Sequence, residues 1–311
     1  MITLQRYTVA QKTIWDALVD ASKNGTFMLK RGYMDYHADR FKDHSLMIYN
    51  DDELVALIPV SLHDKELRSH GGLTYGGLIT TRKITTQQVL AIFEELKVYM
   101  KDNGIDTLLY KRVPPIYYSY PSDEDLYALF RVGAKLEKME MSSTIYMPDK
   151  IKFSERRKRG YKQAAKQGII IRQTNDYQSY IAILSEVLGK YHNTKPVHTA
   201  SELQMLAERF PENIHLYAAY KEEKMLAGVV IYETNKVAHA QYIANSDEGK
   251  QCGALDAVMN YLINDKYVDK EYFDFGISTE NGGTFLNEGL ITQKQEFGAR
   301  GVVYETYKLG I

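Results

Sequence analysis

Residues 248–254, which read EGKQCGA, have the composition of an anion-binding turn. They follow a hairpin-like stretch at 224–244 and precede an apolar-periodic helix at 255–263. Backbone N–H groups at the start of a helix point outward at the positive end of its dipole, where a pyrophosphate fits. The run lacks the Walker and GxGxxG patterns, and its alternative reading is a plain turn. The residues predicted to hold phosphates are Gly249, Lys250, Gln251, Gly253 and Ala254.

Residues on two strands near this run can exchange a proton with a substrate. Asp274 lies between two phenylalanines in YFDFG, and desolvation raises the pKa of a carboxyl group, so it is a candidate base. Alternatively it caps a loop or pairs with Arg300. His239 and Tyr242 lie on the preceding strand, and histidine titrates near neutral pH. Because they are three positions apart, we expect them on opposite faces, with only one lining the site. A structural role for His239 stays open.

The first half of the chain offers residues for a second substrate. Arg40 can bind a phosphate or carboxylate, and His37 and Tyr75 are candidates to line the same cleft. The acidic and histidine residues at 37–44 match no zinc spacing, so we predict a polar helix face and no metal site. Cys252 has no His–Asp partner placed by sequence, and we expect it to pack.

Composition limits the class of protein. The 311 residues are 44% hydrophobic and 25% charged, with a net charge of −1, as in a globular protein without global basicity. The single cysteine excludes an internal disulfide and fits a reducing compartment. We find no 18-residue apolar run and no signal-peptide pattern, and therefore expect a cytoplasmic location.

The elements that must position these residues recur in one order in both halves. The second half predicts strands at 168–174, 214–220, 226–233, 237–244 and 301–307, with the short strand YFDFG, and helices after 176, 201, 254 and 284. The first half predicts helices at 10–22, 34–41, 86–103 and 123–132, and strands at 45–49, 54–62, 66–74, 106–110 and 136–147. This repeated pattern predicts a duplicated α/β fold, with domains at 1–148 and 149–311.

Two segments resemble the FemAB/FemX-like group of tandem GNAT proteins. Residues 154–172, SERRKRGYKQAAKQGIIIR, are similar to the basic helix and strand that open the second Fem domain. Residues 272–307 carry Asp-Phe-Gly, Gly-Leu, a lysine, Phe-Gly and a terminal tyrosine in the family's order. Residues 248–254 are close to the GNAT loop that holds the pyrophosphate of coenzyme A. The resemblance covers nearly the whole chain and implies two tandem GNAT-like domains.

The resemblance also implies a reaction. Lys294 corresponds to the lysine that the family uses near the reacting acyl group, where an ammonium neutralises a developing oxyanion. The second domain would bind acyl-CoA, and the first, near Arg40, would bind a small-molecule or lipid-linked sugar or peptide. We therefore expect an acyltransferase acting on an amine or hydroxyl of a sugar or cell-envelope precursor, such as a polysaccharide building block.

Two further readings stay open. Residues 150–172 hold nine Lys or Arg and one acidic residue, which suits coenzyme A, a lipid diphosphate, tRNA or a membrane surface. A Fem-type transferase would take its donor from aminoacyl-tRNA and act on a peptidoglycan precursor. The sequence lacks the charged heptads of the helical arm found in several Fem enzymes, which disfavours tRNA. The remaining possibility is a non-catalytic duplicated scaffold. Neither the acyl group nor the oligomeric state follows from the sequence.

Overall fold

The computed structural model describes residues 1–192 and 194–311, and the side chains described are those of 1–190 and 194–311. Contacts divide the chain into two compact units. The first contains Met1–Glu140, Asn281–Thr284 and Val303–Ile311, and the second contains Met141–Glu280 and Phe285–Val302. The join predicted after residue 148 falls in the single turn Met147–Asp149.

The first unit is built from short strands and four helices with these bounds. Its helices are α1 (Lys12–Ala21), α2 (Arg31–Met34), α3 (Thr86–Asp102) and α4 (Glu124–Arg131). Its strands are β1 (Ile2–Arg6), β2 (Leu46–Asn50), β3 (Glu53–Ile58), β4 (Val60–His63), β5 (Glu66–Ser69), β6 (Ile79–Thr80) and β7 (Thr107–Lys111). Strand β8 (Lys135–Tyr146) begins in this unit and ends in the second.

Two groups of strands enclose the first core. Strands β1, β2, β3 and β6 form an antiparallel sheet, and β5 pairs with β4 antiparallel and with β7 in parallel. The long helix α3 begins with a reciprocal capping box between Thr85 and Gln88. Its apolar face, which includes Phe93 and Leu96, is fully buried in that core.

The second unit contains the following elements. Its helices are α5 (Glu155–Lys166), α6 (Tyr177–His192), α7 (Ala200–Arg209), α8 (Asp247–Cys252), α9 (Ala254–Tyr261) and α10 (Glu288–Glu296). Its strands are β9 (Ile170–Thr174), β10 (Ile214–Lys221), β11 (Lys224–Glu233), β12 (Val237–Asn245), β13 (Tyr272–Ile277), β14 (Thr279–Glu280) and β15 (Phe285–Leu286). Strand β16 (Arg300–Gly310) begins here and ends in the first unit.

One mixed sheet organises the second unit. Strands β9, β10, β11 and β12 pair antiparallel in that order, β13 joins β12 in parallel, and the end of β8 pairs antiparallel with β13. The apolar faces of β10–β13 and α9 form one core, in which Val258, Ile231 and Phe273 are fully buried. The mixed α/β class expected from the sequence is confirmed, and β10, β11 and β12 lie within one or two residues of their predicted bounds.

Candidate active site

Strands β12 and β13 pair over only three residues and then separate. The partners are Val237 with Tyr272, Ala238 with Phe273, and His239 with Asp274. Just beyond, β12 carries a bulge against β11, and β13 shifts its register against β8 between Asp274 and Ile277. Strands that stop pairing in this way leave backbone groups without ladder partners beside a widening gap. Such a gap can admit a ligand.

A cavity of about 690 Å³ lies at this gap, between β12, β13 and the helices α5, α9 and α10. Its volume is in the range of small-molecule sites. The apolar part of the wall consists of Val187, Ile243, Leu255, Met259, Phe275, Leu290 and Phe297. The cationic part consists of Arg156, Arg157, Arg159, Lys250 and Lys294. Because Arg156 and Arg159 are exposed while Lys294 is only 4% exposed, the cavity runs from a cationic mouth to a buried ammonium group.

Lys294 is the buried cation of this cavity. Its Nζ donates hydrogen bonds to the carbonyl oxygens of Gly276 and Ile277, at 2.8 and 2.6 Å. These carbonyls are available because β13 is irregular there, with Gly276 at φ +73°. Burial lowers the pKa of the Lys294 ammonium to about 8, against the opposing effect of Asp274. An ammonium has three N–H donors, and two of them bind Gly276 and Ile277. Within the described residues, no acceptor is found for the third.

Asp274 and His239 form a buried pair on the adjacent strands. His239 Nδ1 lies 2.7 Å from Asp274 Oδ2, and Asp274 is completely buried. The other carboxylate oxygen accepts from the hydroxyls of Ser142 and Thr144 on β8, at 2.7 and 2.8 Å. Asp274 therefore holds His239, and not Arg300, whose described hydrogen bond goes to the backbone of Ala299.

Three of the four predicted catalytic residues meet around Gly276. Its carbonyl binds Lys294, its ideal Cβ position is 3.4 Å from His239 Cε1, and Asp274 is two residues earlier on the same strand. Asp274 also contributes to the electrostatic environment of Lys294. A cation, a carboxylate and an imidazole are thus collected where β12 and β13 part.

Tyr242, the fourth predicted catalytic residue, is not part of the group around Gly276. Its hydroxyl lies 2.5 Å from His198 Nδ1. The expectation that His239 and Tyr242 face opposite sides of the sheet is wrong. They pair with Tyr232 and Val230, which are two apart on β11, and directly opposed residues share a face. The reason is the bulge in β12, which inserts one extra residue between His239 and Tyr242. Because of that residue, two side chains three positions apart lie on the same face of the sheet.

The predicted phosphate loop is a helix instead, and that prediction is wrong in its local structure. Ser246 caps α8, its Oγ accepts from Gly249 N–H at 3.0 Å, and its carbonyl accepts from Lys250 N–H. Gly253 N–H donates to Gly249 O. Gln251 lies within α8, and Ala254 begins α9. The amides of Gly249, Lys250 and Gly253 are therefore already occupied, and of this predicted set Lys250 and Gly253 line the cavity.

Helix α5 packs directly on the start of α9. Gly253, at φ +75°, would place a Cβ 2.2 Å from the carbonyl oxygen of Gly160, so a side chain is excluded there. Asp256, in the first turn of α9, pairs with Arg157 at 2.8 Å, and Arg157 also pairs with Glu296 of α10 at 2.7 Å. This buried guanidinium ties together the three helices that enclose the cavity.

The predicted acceptor residues fall into two places in the first unit. Arg40 is exposed and lies over the ring of Tyr36, which stacks on His37 at 4.2 Å. His37 is only 2% exposed, and burial lowers its pKa. Tyr75 is 1% exposed and bonds Thr26 through its hydroxyl. Arg40 is thus exposed beside Asp39, whereas the rings of His37 and Tyr75 are enclosed.

Solved structures share the fold over nearly the whole chain. FemX matches with a TM-score of 0.69 at 11% identity, covering 99% of this chain and 97% of FemX. L-PGS from Bacillus licheniformis matches with 0.63 at 13%, covering 95% and 90%. A tandem GNAT protein from the clavulanic acid biosynthesis pathway matches with 0.52 at 10%, covering 100% and 98%. The chain has the FemX-like tandem GNAT fold. No family model and no curated protein sequence matches it.

Within the FemX-like fold, several site residues carry no sequence signal. Ser142 and Thr144 are 132 and 130 positions from Asp274, and only the pairing of β8 with β13 brings them together. Arg157 belongs to a basic run that sequence alone does not distinguish from a solvated face. The described residues contain no group of three His, Cys, Asp or Glu side chains suited to a metal ion. Within the same ranges, none of the helices has the length and apolar character needed to span a bilayer.

Proposed function

We propose that this chain is an acyltransferase that takes an activated acyl group from a phosphate-bearing carrier and passes it to an amine or hydroxyl acceptor. The observation that carries the proposal is Lys294, a buried ammonium with a pKa of about 8 at the inner side of a cavity with a cationic mouth. The names of the structural neighbours, FemX, L-PGS and a tandem GNAT protein, support a transferase.

The ammonium of Lys294 suits the charge that develops in acyl transfer. When a nucleophile adds to an ester or thioester carbonyl, the carbonyl oxygen becomes negative. Two N–H groups of Lys294 are fixed by Gly276 and Ile277, so the third is held in place before the substrate arrives. A preorganised donor of this kind stabilises the transition state without reorganisation, and its effect is stronger away from water. An open cavity around it argues against a non-catalytic scaffold.

Two carriers meet the requirement for phosphates, and the geometry favours aminoacyl-tRNA. Acyl-CoA would place its pyrophosphate near Gly249, but Ser246 already accepts from the N–H groups of Gly249 and Lys250. Cationic side chains are therefore proposed to bind most of the phosphate charge. The exposed cations of α5 continue from Arg159 through Lys162 to Lys166, beyond the cavity wall, which suits a polyanion longer than coenzyme A. Acyl-CoA is the second candidate because a cavity of about 690 Å³ can hold its pantetheine arm.

The acceptor is proposed to be a sugar, peptide or lipid-linked precursor of the cell envelope. Arg40 is the candidate for its phosphate or carboxylate, because its guanidinium is exposed on the first unit. Two of the similar solved structures are named L-PGS and the C-terminal domain of a putative lysylphosphatidylglycerol synthetase. These names add a lipid head group to the candidate acceptors.

Binding measurements with a matched pair of variants test the donor assignment. Arg159→Gln and Lys166→Gln each remove one exposed cation from α5, but only Arg159 lines the cavity. We expect Arg159→Gln and Lys166→Gln each to weaken binding of aminoacyl-tRNA and to reduce its salt slope by about one, whereas binding of acetyl-CoA should weaken only in Arg159→Gln. Titration of acetyl-CoA in parallel identifies the alternative donor. Binding of neither carrier to the wild-type chain would contradict the proposed function.

A further inference from the structure

The carboxylate of Asp274 is fixed from three sides in the second unit. Its Oδ1 accepts from Ser142 and Thr144, and its Oδ2 faces His239 Nδ1, all at 2.7–2.8 Å. Thr144 lies directly opposite Asp274 in the β8–β13 register. A carboxylate with no exposed surface and three hydrogen-bonding partners has no freedom to rotate and no access to a substrate proton. Asp274 is therefore unsuited to the role of base predicted for it from the sequence.

The same contacts favour one tautomer of His239. Asp274 Oδ1 accepts from two hydroxyls, as a carboxylate does, and a carboxylate Oδ2 would accept in turn from a protonated Nδ1 of His239. In the neutral ring the lone pair then belongs to Nε2. The described residues offer no hydrogen-bond partner to Nε2, and the His239 side chain is 9% exposed. The imidazole thus presents an unoccupied proton acceptor beside the turn at Gly276 that holds Lys294.

We infer that His239 takes the proton of the acceptor through Nε2, and that Asp274, Ser142 and Thr144 are positioning residues that hold it in this tautomer. This inference rests on the proposed function. The acceptor nitrogen forms a bond to the donor carbonyl carbon, and its proton passes to Nε2. The bond from that carbon to the carrier oxygen, or sulfur for a thioester, then breaks, and His239 returns the proton to that leaving atom. No other reagent is required.

Nuclear magnetic resonance tests the tautomer without any assumption about activity. In protein labelled with ¹⁵N-histidine, the His239 ring nitrogens are assigned by their loss in His239→Gln. We expect the neutral ring to be protonated at Nδ1 in the wild type. In Asp274→Asn the amide can donate to the ring, so the Nε2-protonated form should gain population. A wild-type ring protonated mainly at Nε2 would overturn the inference.

Kinetics then separate a catalytic from a structural role. General-base catalysis contributes about 10²–10⁴-fold, so His239→Gln should lower kcat by that order with little change in KM. Thr144→Val and Ser142→Ala should each lower kcat about tenfold or more, as expected for residues that orient a reacting group. Ser143→Ala is the matched control, since Ser143 is buried on the same strand and its Oγ has no partner among the described residues.

The outcomes distinguish this inference from the proposed function. If transfer requires Lys294 but is unchanged in a folded His239→Gln variant, the pair only joins β12 to β13 and the inference is wrong. If the variants alter KM and thermal stability but not kcat, the same conclusion follows. If Lys294→Met also leaves transfer unchanged, the proposed function itself is wrong.

Discussion

Replacement of Lys294 by methionine removes the ammonium while keeping a side chain of similar length in the buried site. Two N–H groups of that ammonium bind Gly276 and Ile277, and the proposed function gives the third to the reacting carbonyl. Loss of one oxyanion-stabilising donor costs about 10²–10³-fold in rate, or about 2.7–4 kcal/mol. We therefore expect the rate of Lys294→Met to be lower than that of the wild type by this factor at pH 7.

The pKa of Lys294 determines how the effect of Lys294→Met changes with pH. Burial lowers the Lys294 pKa to about 8, so the group is charged below that pH and neutral above it. The protonated fraction is roughly 90% at pH 7 and roughly 10% at pH 9. The ratio of wild-type to Lys294→Met rates should therefore fall about tenfold between these two pH values. The ionisation of the acceptor affects both proteins equally, so its effect cancels in the ratio of their rates.

Single-turnover transfer at saturating donor measures this ratio directly, because product release then has no influence. Gln293→Met is the control, since Gln293 also lines the cavity but carries no charge. The ratio of the wild-type rate to the Gln293→Met rate should not change with pH. A Lys294→Met ratio that is constant or rises from pH 7 to pH 9 would refute the role of the ammonium, and a rise would instead indicate that neutral Lys294 acts as a base.

Further predictions concern the contact of α5 with α9. Gly160→Ala places a Cβ 1.8 Å from Asp256 Oδ2 and should lower the free energy of unfolding by about 1–3 kcal/mol, whereas Gly189→Ala, with open space around it in α6, should raise it by about 0.5–1 kcal/mol. Urea denaturation measures both, and equal effects would contradict the close packing. Arg157→Met removes the ion-pair partner of Asp256 and leaves Glu296 only the longer contact with Arg156 at 3.7 Å, so it should cost about 3–5 kcal/mol by the same assay. A loss below about 1 kcal/mol would show that these carboxylates are well solvated without it.

Much of the fold follows from local sequence. Strands β10, β11 and β12 are mostly apolar runs bounded by polar turns, so they are predictable from 214–245 alone. Strand β1 was not predicted, because ITLQR is short and only partly apolar. The predicted strand at 54–62 is two strands, β3 and β4, that pair with different neighbours. Pro59 between them removes a ladder donor, which explains the break.

The helix at 247–252 begins with residues that are typical of a helix N-terminus, although its glycines suggested a loop. Ser246 followed by Asp247 and Glu248 is a good start for a helix, because serine caps it and acidic residues suit its first turn. The two glycines suggested a loop, yet Gly249 is inside the helix and Gly253 ends it. Composition alone therefore did not separate a helix end from a phosphate loop.

Long-range geometry accounts for the rest. The bulge that puts His239 and Tyr242 on one face has no mark in the sequence, because it arises from the register of β11 with β12. Likewise, the hydroxyls that hold Asp274 come from a strand more than a hundred residues earlier. The role of Lys294 was predicted only through the family resemblance, and its burial was not predicted. Sequence thus supplied the residue types of the site, whereas their mutual contacts required the fold.

In the proposed function, the donor carbonyl reaches Lys294 through the cavity where β12 and β13 separate. A crystal structure with a hydrolysis-resistant donor analogue, an amide-linked aminoacyl-adenosine or a non-hydrolysable acyl-CoA, tests it most directly. The account predicts the analogue's carbonyl oxygen within about 2.7–3.1 Å of Lys294 Nζ. Density for the analogue elsewhere, with the cavity beside Lys294 unchanged, would contradict it.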